Sequence, residues 1–122
     1  MARVEDIQSL ARSLPRSYEV WVYGCLKYRV GKIVYLAFSR DQTTLGFAFP
    51  RDWRPVLVDA EPHKFMLPRP SDMRFNWLVA RLAAVEDAEM GDLVVEAWRM
   101  VVPKKVAAAY DAGARRGLPR QA

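Results

Sequence analysis

The stretch from Leu26 to Pro50, LKYRVGKIVYLAFSRDQTTLGFAFP, limits the fold more than any other part of the chain. Leu26, Tyr28 and Val30 alternate with Lys27 and Arg29, the period of two expected of a strand with one wet face. Gly31-Lys32 then interrupts, with glycine where a two-residue hairpin turn needs a positive φ. Ile33 to Phe38 is a short, bounded apolar run, which favours a central strand over a helix. Ser39 to Gln42 turns the chain again, and Thr43, Leu45, Phe47 and Phe49 fall on one face of a third strand. The stretch predicts an antiparallel meander.

The flanking segments supply the layer that covers it. Val4, Ile7, Leu10, Ala11 and Leu14 recur at helical spacing until Pro15 stops the helix, with Glu5 and Asp6 in its first turn. Ser17 to Tyr23, rich in β-branched and aromatic residues, predicts a strand closed by Gly24. After Pro50, a short helix is expected over Trp53–Ala60, with Asp52 as its N-cap and Pro55 in its first turn. Lys64–Leu67 reads as a short strand, Pro68–Arg74 as a loop and Phe75–Leu82 as a buried strand. A long helix over Asp87–Val102 turns Met90, Leu93, Val94, Ala97, Trp98 and Val101 inward. Pro103 opens a last helix from Lys104 to about Ala112, for which Gly113 is a natural stop. The fold class is therefore α+β, a single antiparallel sheet with helices packed on one face. Residues 1–113 form one domain and 114–122 a basic flexible tail.

At 122 residues, 52% of them apolar, the chain can bury roughly two-thirds of its surface without staples. No apolar run approaches the ~18 residues of a membrane span. The acids near the start of the chain do not suit a signal peptide, and the single cysteine suits a reducing compartment, so a cytoplasmic location and no membrane partner are expected. The net charge of +5 is unevenly spread. Residues 17–83 carry ten basic against six acidic groups and 103–122 five against one, whereas 84–102 carry one against five. A basic sheet beside an acidic helix is compatible with polyanion binding.

Catalytic chemistry finds little material. Cys25 and His63 are the sole members of their kinds and fall on separate segments, Cys25 reading as a small buried filler. Asp59, Glu61 and His63 are interrupted by Pro62, and Glu89, Asp92 and Glu96 read as a solvated helix face, so no metal is expected. Six scattered glycines make neither a dinucleotide fingerprint nor a phosphate loop, and no cofactor is expected. Trp77 and Trp98 read as core, while Trp53, between Arg51 and Arg54, has the setting of a base-stacking side chain. Lys104 and Lys105 stand at a helix N-terminus, where free N–H groups and two cations together would suit an anion.

Several strings, taken in order, resemble the MmcQ/YjbR family of small bacterial proteins: VEDIQSLARSLP, KYRVGKIVYLAF, DAEPHKF, NWLVARL and EAWRMVVPKKVAAAYD. The resemblance covers roughly residues 4–112. It implies a frataxin-like (CyaY-like) architecture and the DNA binding through a double-wing arrangement of hairpins for which the family is named. The Pro68–Arg74 loop departs from the family pattern in lacking an aromatic residue.

The resulting expectation is a non-enzymatic protein with weak, sequence-independent affinity for DNA, its phosphates met by Lys27, Arg29, Arg40, Arg69, Arg74, Lys104 and Lys105. The alternative is a protein-interaction module, or one for a small anionic ligand, with a pocket between the sheet and the Pro68–Arg74 loop. A clustered positive face would favour the first; a concave apolar pocket with one or two cations would favour the second.

Overall fold

The structure, a computed structural model, describes the backbone of residues 1–117 and the side chains of residues 1–113. In chain order the elements are α1 (Val4–Ser13), β1 (Ser17–Val22), β2 (Cys25–Val30), β3 (Ile33–Phe38), β4 (Thr44–Ala48), α2 (Arg54–Ala60), β5 (Phe65–Met66), β6 (Trp77–Arg81), α3 (Asp87–Arg99) and α4 (Lys104–Gly117). All strands join one antiparallel sheet in the order β1-β2-β3-β4-β6-β5. The fold is α+β, as the patterning predicts.

Turn chemistry sets the register of the meander. Between β1 and β2, Tyr23 and Gly24 both have positive φ, 51° and 79°, as a type I′ hairpin demands. Between β2 and β3 only Gly31, at φ 60°, is left-handed, which suits a type II′ turn. Within β3 the pairing skips: Tyr28 faces Leu36 but Arg29 faces Val34, so Tyr35 is an extra residue, a β-bulge. The bulge explains why Tyr35 and Leu36, neighbours in the chain, are both fully buried.

One face of the sheet is covered by α1 and α3. Leu26, Tyr28, Leu36, Phe38, Leu45 and Phe47 meet Ile7, Ala11, Met90, Val94 and Trp98 in one core cluster. Trp98 is wholly buried, and its indole N–H donates to the Pro15 carbonyl at 2.8 Å, tying α3 to the end of α1. Tyr110 of α4 packs edge-on against the same indole, 5.0 Å between centroids. At the margin of the core the Tyr28 hydroxyl donates to Glu19 at 3.1 Å, and Glu19 also accepts from Arg12 at 2.8 Å. That guanidinium holds the exposed Glu19 carboxyl below the ordinary range.

Several boundaries differ from the sequence reading, among them the strand expected over Lys64–Leu67, of which only Phe65–Met66 pairs. Asp52 does not cap α2: Arg51–Trp53 is a 3₁₀ turn with no side-chain cap bond, and the helix begins at Arg54. The backbone N–H of Arg51 is instead satisfied by the Asn76 side chain at 3.1 Å. Strand β6 is shorter than Phe75–Leu82, because Leu82–Ala84 forms another 3₁₀ turn and Phe75 lies in the preceding loop. The long helix ends at Arg99, short of Val102. Finally, Gly113 does not stop α4, which continues to Gly117. Gly113 is not left-handed, and the surrounding alanines carry the helix across at a cost of about 1 kcal/mol. Of the tail expected over 114–122, residues 118–122 lie outside the described residues.

Candidate functional site

Among the described residues no helix covers the second face of the sheet, and pairing decides what that face presents. Val20, Lys27, Ala37, Gly46, Val79 and Met66 are successive cross-strand partners and form one row across the sheet. The next row pairs Ala48 with Trp77. Small residues therefore occupy the middle of this face and larger ones its sides, which makes it concave.

The hollow is a cleft of ≈ 900 Å³. Its floor includes Ala37, Gly46 and Ala48; Cys25 and Lys27 stand on one side, Trp77, Val79 and Met66 on the other. The segment from Leu67 to Asn76 forms a further wall, and Ile33 and Met100 border it at the end of α3. Ile33, Leu67, Phe75 and Met100 are all large apolar side chains exposed to water, so the rim is apolar as well as the floor.

Two features build the far wall. A Cβ on Gly46 would lie 2.6 Å from Trp77 Nε1, so only glycine admits the indole at that place. Arg54, the one buried charged residue among those described, is 6% exposed. Its Nη1 donates to the Phe75 and Trp77 carbonyls at 3.1 Å each and its Nη2 to the Met73 carbonyl at 2.7 Å. One planar guanidinium thus fastens three carbonyls of an otherwise irregular segment.

The polar groups lining the cleft are unbalanced. The Lys27 ammonium, the Trp77 indole N–H and the Thr44 hydroxyl have no hydrogen-bond partner among the described residues, and Asn76 keeps its amide donors because its oxygen serves Arg51. The lining carboxylate, Asp72, is held by Arg69 at 3.3 Å. Open donors over an apolar floor are suited to an acceptor-bearing ligand.

The basic residues singled out from the sequence stand in different settings. Lys27 and Arg69 line the cleft. Arg29 lies on the same face by register, beside Tyr18 and Val34, its Nε buried without a hydrogen-bond partner. Arg40, in the β3–β4 turn, donates to the Tyr23 carbonyl at 2.7 Å and so braces the first hairpin. Arg74 lies 4.8 Å over the Phe75 ring. Lys104 and Lys105 are exposed in the first turn of α4. Trp53 is exposed, as a stacking role would need, but makes no part of the cleft wall.

Cys25 and Trp77 are corrections: the thiol is half-buried on the cleft side, not a core filler, and the indole is half-buried on the open face, not in the core. Period two sends Leu78 and Ala80 inward, so Trp77 and Val79 must face outward. His63 is exposed just before β5, and three strands separate β5 from β2 and its Cys25, roughly 19 Å. Lys64 contacts Glu61 at 2.7 Å and Glu89 at 2.9 Å, drawing both acids into ion pairs. The residues that sequence reasoning missed are Gly46 and Arg54. A glycine amid strand-forming residues signals close approach and could have been found; nothing in the string RDWRP marks Arg54 as buried.

No helix among the described residues is long and apolar enough to cross a membrane. No family model and no curated protein matches this sequence. Among solved structures, the chain is similar to Deinococcus radiodurans protein DR2400, a protein with a DUF419 domain, the domain of the MmcQ/YjbR family. The match has a TM-score of 0.71 at 20% identity and covers 82% of this chain and 78% of that one. At that identity the likeness is one of fold alone.

Proposed function

We propose that this protein is a non-enzymatic binding module of the MmcQ/YjbR type whose open-face cleft takes a small anion with an apolar body. The observation that carries the reading is the set of unpaired donors, led by Lys27, above the apolar floor of Ala37, Gly46 and Ala48. A carboxylate at Lys27 would exchange water for a charged partner, while the remainder of the ligand displaces water from the Trp77 and Phe75 side. The family assignment is supported by the shared fold and by the strings quoted above, and the single cysteine supports a cytoplasmic setting.

The test is isothermal titration of the full chain with a panel of indole, naphthyl and alkyl carboxylates and with a short DNA duplex. At least one carboxylate is expected to bind, and Lys27→Met is expected to weaken it about tenfold, or ~1.4 kcal/mol. A second reading, nucleic-acid binding, is favoured by one observation: the charged strand residues that register places on this face, Lys27, Arg29 and Arg81, are all basic. Duplex binding that falls steeply with salt, with no carboxylate bound, would replace the first reading with the second. Silence toward both probes would remove both.

A further inference from the structure

The two edges of the sheet are unlike. Strand β5 has two residues, the kind of short edge that discourages lateral pairing. Strand β1 has six, SYEVWV, with no proline and an unbroken register against β2. Because Val22 and Cys25 close a two-residue hairpin, the main-chain groups of Val22, Val20 and Tyr18 are directed at β2. Those of Glu19 and Trp21 are directed outward, and they have no main-chain partner among the described residues. The strand also carries exposed apolar surface: Trp21 is 59% exposed, Tyr23 in the adjoining turn 89%, and Tyr18 is exposed as well.

We propose that β1 pairs antiparallel with β1 of a second copy about a two-fold axis at Val20, joining two sheets edge to edge. Pairing that keeps side chains on matching faces must centre on a residue rather than between two. Centring on Glu19 would set two carboxylates face to face, which is unfavourable. Centring on Trp21 would require Glu19 to pair with Tyr23, whose φ of 51° is incompatible with a strand. Centring on Val20 sets Val20 against itself, Tyr18 against Val22 and Trp21 against Glu19. It also lets the outward groups of Glu19 and Trp21 in each copy satisfy one another. Glu19 is already held by Arg12 at 2.8 Å, so the indole of the second copy would cover an ion pair, not a bare carboxylate.

The axis stands perpendicular to the sheet, so both open faces lie on the same side. Lys27 is the β2 partner of Val20, which places the Lys27 positions of the two copies about three strand spacings, or ~14 Å, apart. With Arg29 beside Tyr18, four cations then surround the axis, and no acid of β1 or β2 lies on that face. The paired form thereby brings the basic residues of two open faces together around one axis.

Sedimentation equilibrium of the full chain, carried up to about 1 mM, tests the proposal with two substitutions at one exposed site. Trp21→Glu would face Glu19 of the second copy and is expected to weaken dimerisation tenfold or more. Trp21→Lys would face the same carboxylate with opposite charge and is expected to retain the dimer. Circular dichroism of each variant checks that the monomer fold is unchanged. A wild-type chain that stays monomeric throughout overturns the proposal. Equal loss in both variants would reveal an unspecific aromatic contact, and equal retention an interface elsewhere; either overturns it too.

Discussion

Replacing Arg54 by methionine tests whether the cleft wall is fastened from within. The side chain is buried, and its guanidinium supplies three hydrogen bonds to the carbonyls of Met73, Phe75 and Trp77. Bonds from a charged donor contribute about 1.5–3 kcal/mol each when considered singly. The desolvation of the guanidinium offsets much of that, and methionine would retain part of the packing of the arginine stem. What the variant cannot restore is a partner for three carbonyls, two of them in an irregular loop. The net loss is expected to be about 3 kcal/mol, a fall in melting temperature of roughly 10–15 °C for a domain of this size. Arg54→Lys keeps the charge but concentrates its donors at one nitrogen, so it should recover less than half of the loss. Urea unfolding followed by tryptophan fluorescence measures both. The reasoning is refuted if Arg54→Met costs under about 1 kcal/mol, or if lysine serves as well as arginine.

Two further perturbations probe the surfaces on either side of the sheet. Gly46→Ala places a methyl 2.6 Å from Trp77 Nε1 and should cost about 1–3 kcal/mol. Trp77→Ala in the same chain removes the obstacle, so the double variant should be more stable than the sum of the single losses predicts, and strict additivity would sink the assignment. On the helical side, burial pushes the Tyr35 phenol up to about 12, and burial followed by the charge of Glu19 raises Tyr28 as well. Because both folded values are raised, their contribution is complete below about pH 10 and is lost as pH rises through the folded values, about 12 for Tyr35. Absorbance at alkaline pH should therefore show these two phenols ionising only together with loss of the fold, which circular dichroism monitors in parallel; full ionisation of an intact fold by pH 11 would contradict it.

The meander was legible because each of its strands carries its own signal. Alternation in Leu26–Val30, glycine at Gly31 and the apolar run Ile33–Phe38 act over a few residues, and the sheet preserves them. The helical faces were legible for the same reason, since Val94, Ala97 and Trp98 meet the core at the spacing the sequence shows. Boundaries fared worse. The 3₁₀ turn over Arg51–Trp53 takes up the residues before α2, so Asp52 lies inside that turn and makes no cap bond. Trp77 reads as core by composition, yet the orientation of a strand residue depends on parity relative to Leu78 and Ala80, whose burial the sequence cannot count alone.

The cleft was hidden for a deeper reason. Its floor row runs through residues 27, 37, 46, 79 and 66, an order that exists only after pairing. Strict alternation within β3 would set Tyr35 on the same face as Ala37, where its ring would stand above the floor. The bulge turns it instead into the core, where its hydroxyl shares a hydrogen bond with Ser17 at 2.5 Å, and leaves Val34 and Ala37 on the open side. Gly46 acts in concert with that extra residue: one withdraws a ring from the floor, the other lets the Trp77 indole settle beside it. The floor on an otherwise regular sheet is thus kept clear by a bulge that turns one ring inward and by one absent side chain. Deleting Tyr35 should close the bulge into regular pairing, with Tyr28 still opposite Leu36 and Arg29 still opposite Val34, so that Val34 and Ala37 stay on the open side and a chain that still folds without this ring keeps its carboxylate binding. Loss of binding by such a variant while it remains folded would show that the floor depends on the bulge itself and not on the pairing around it.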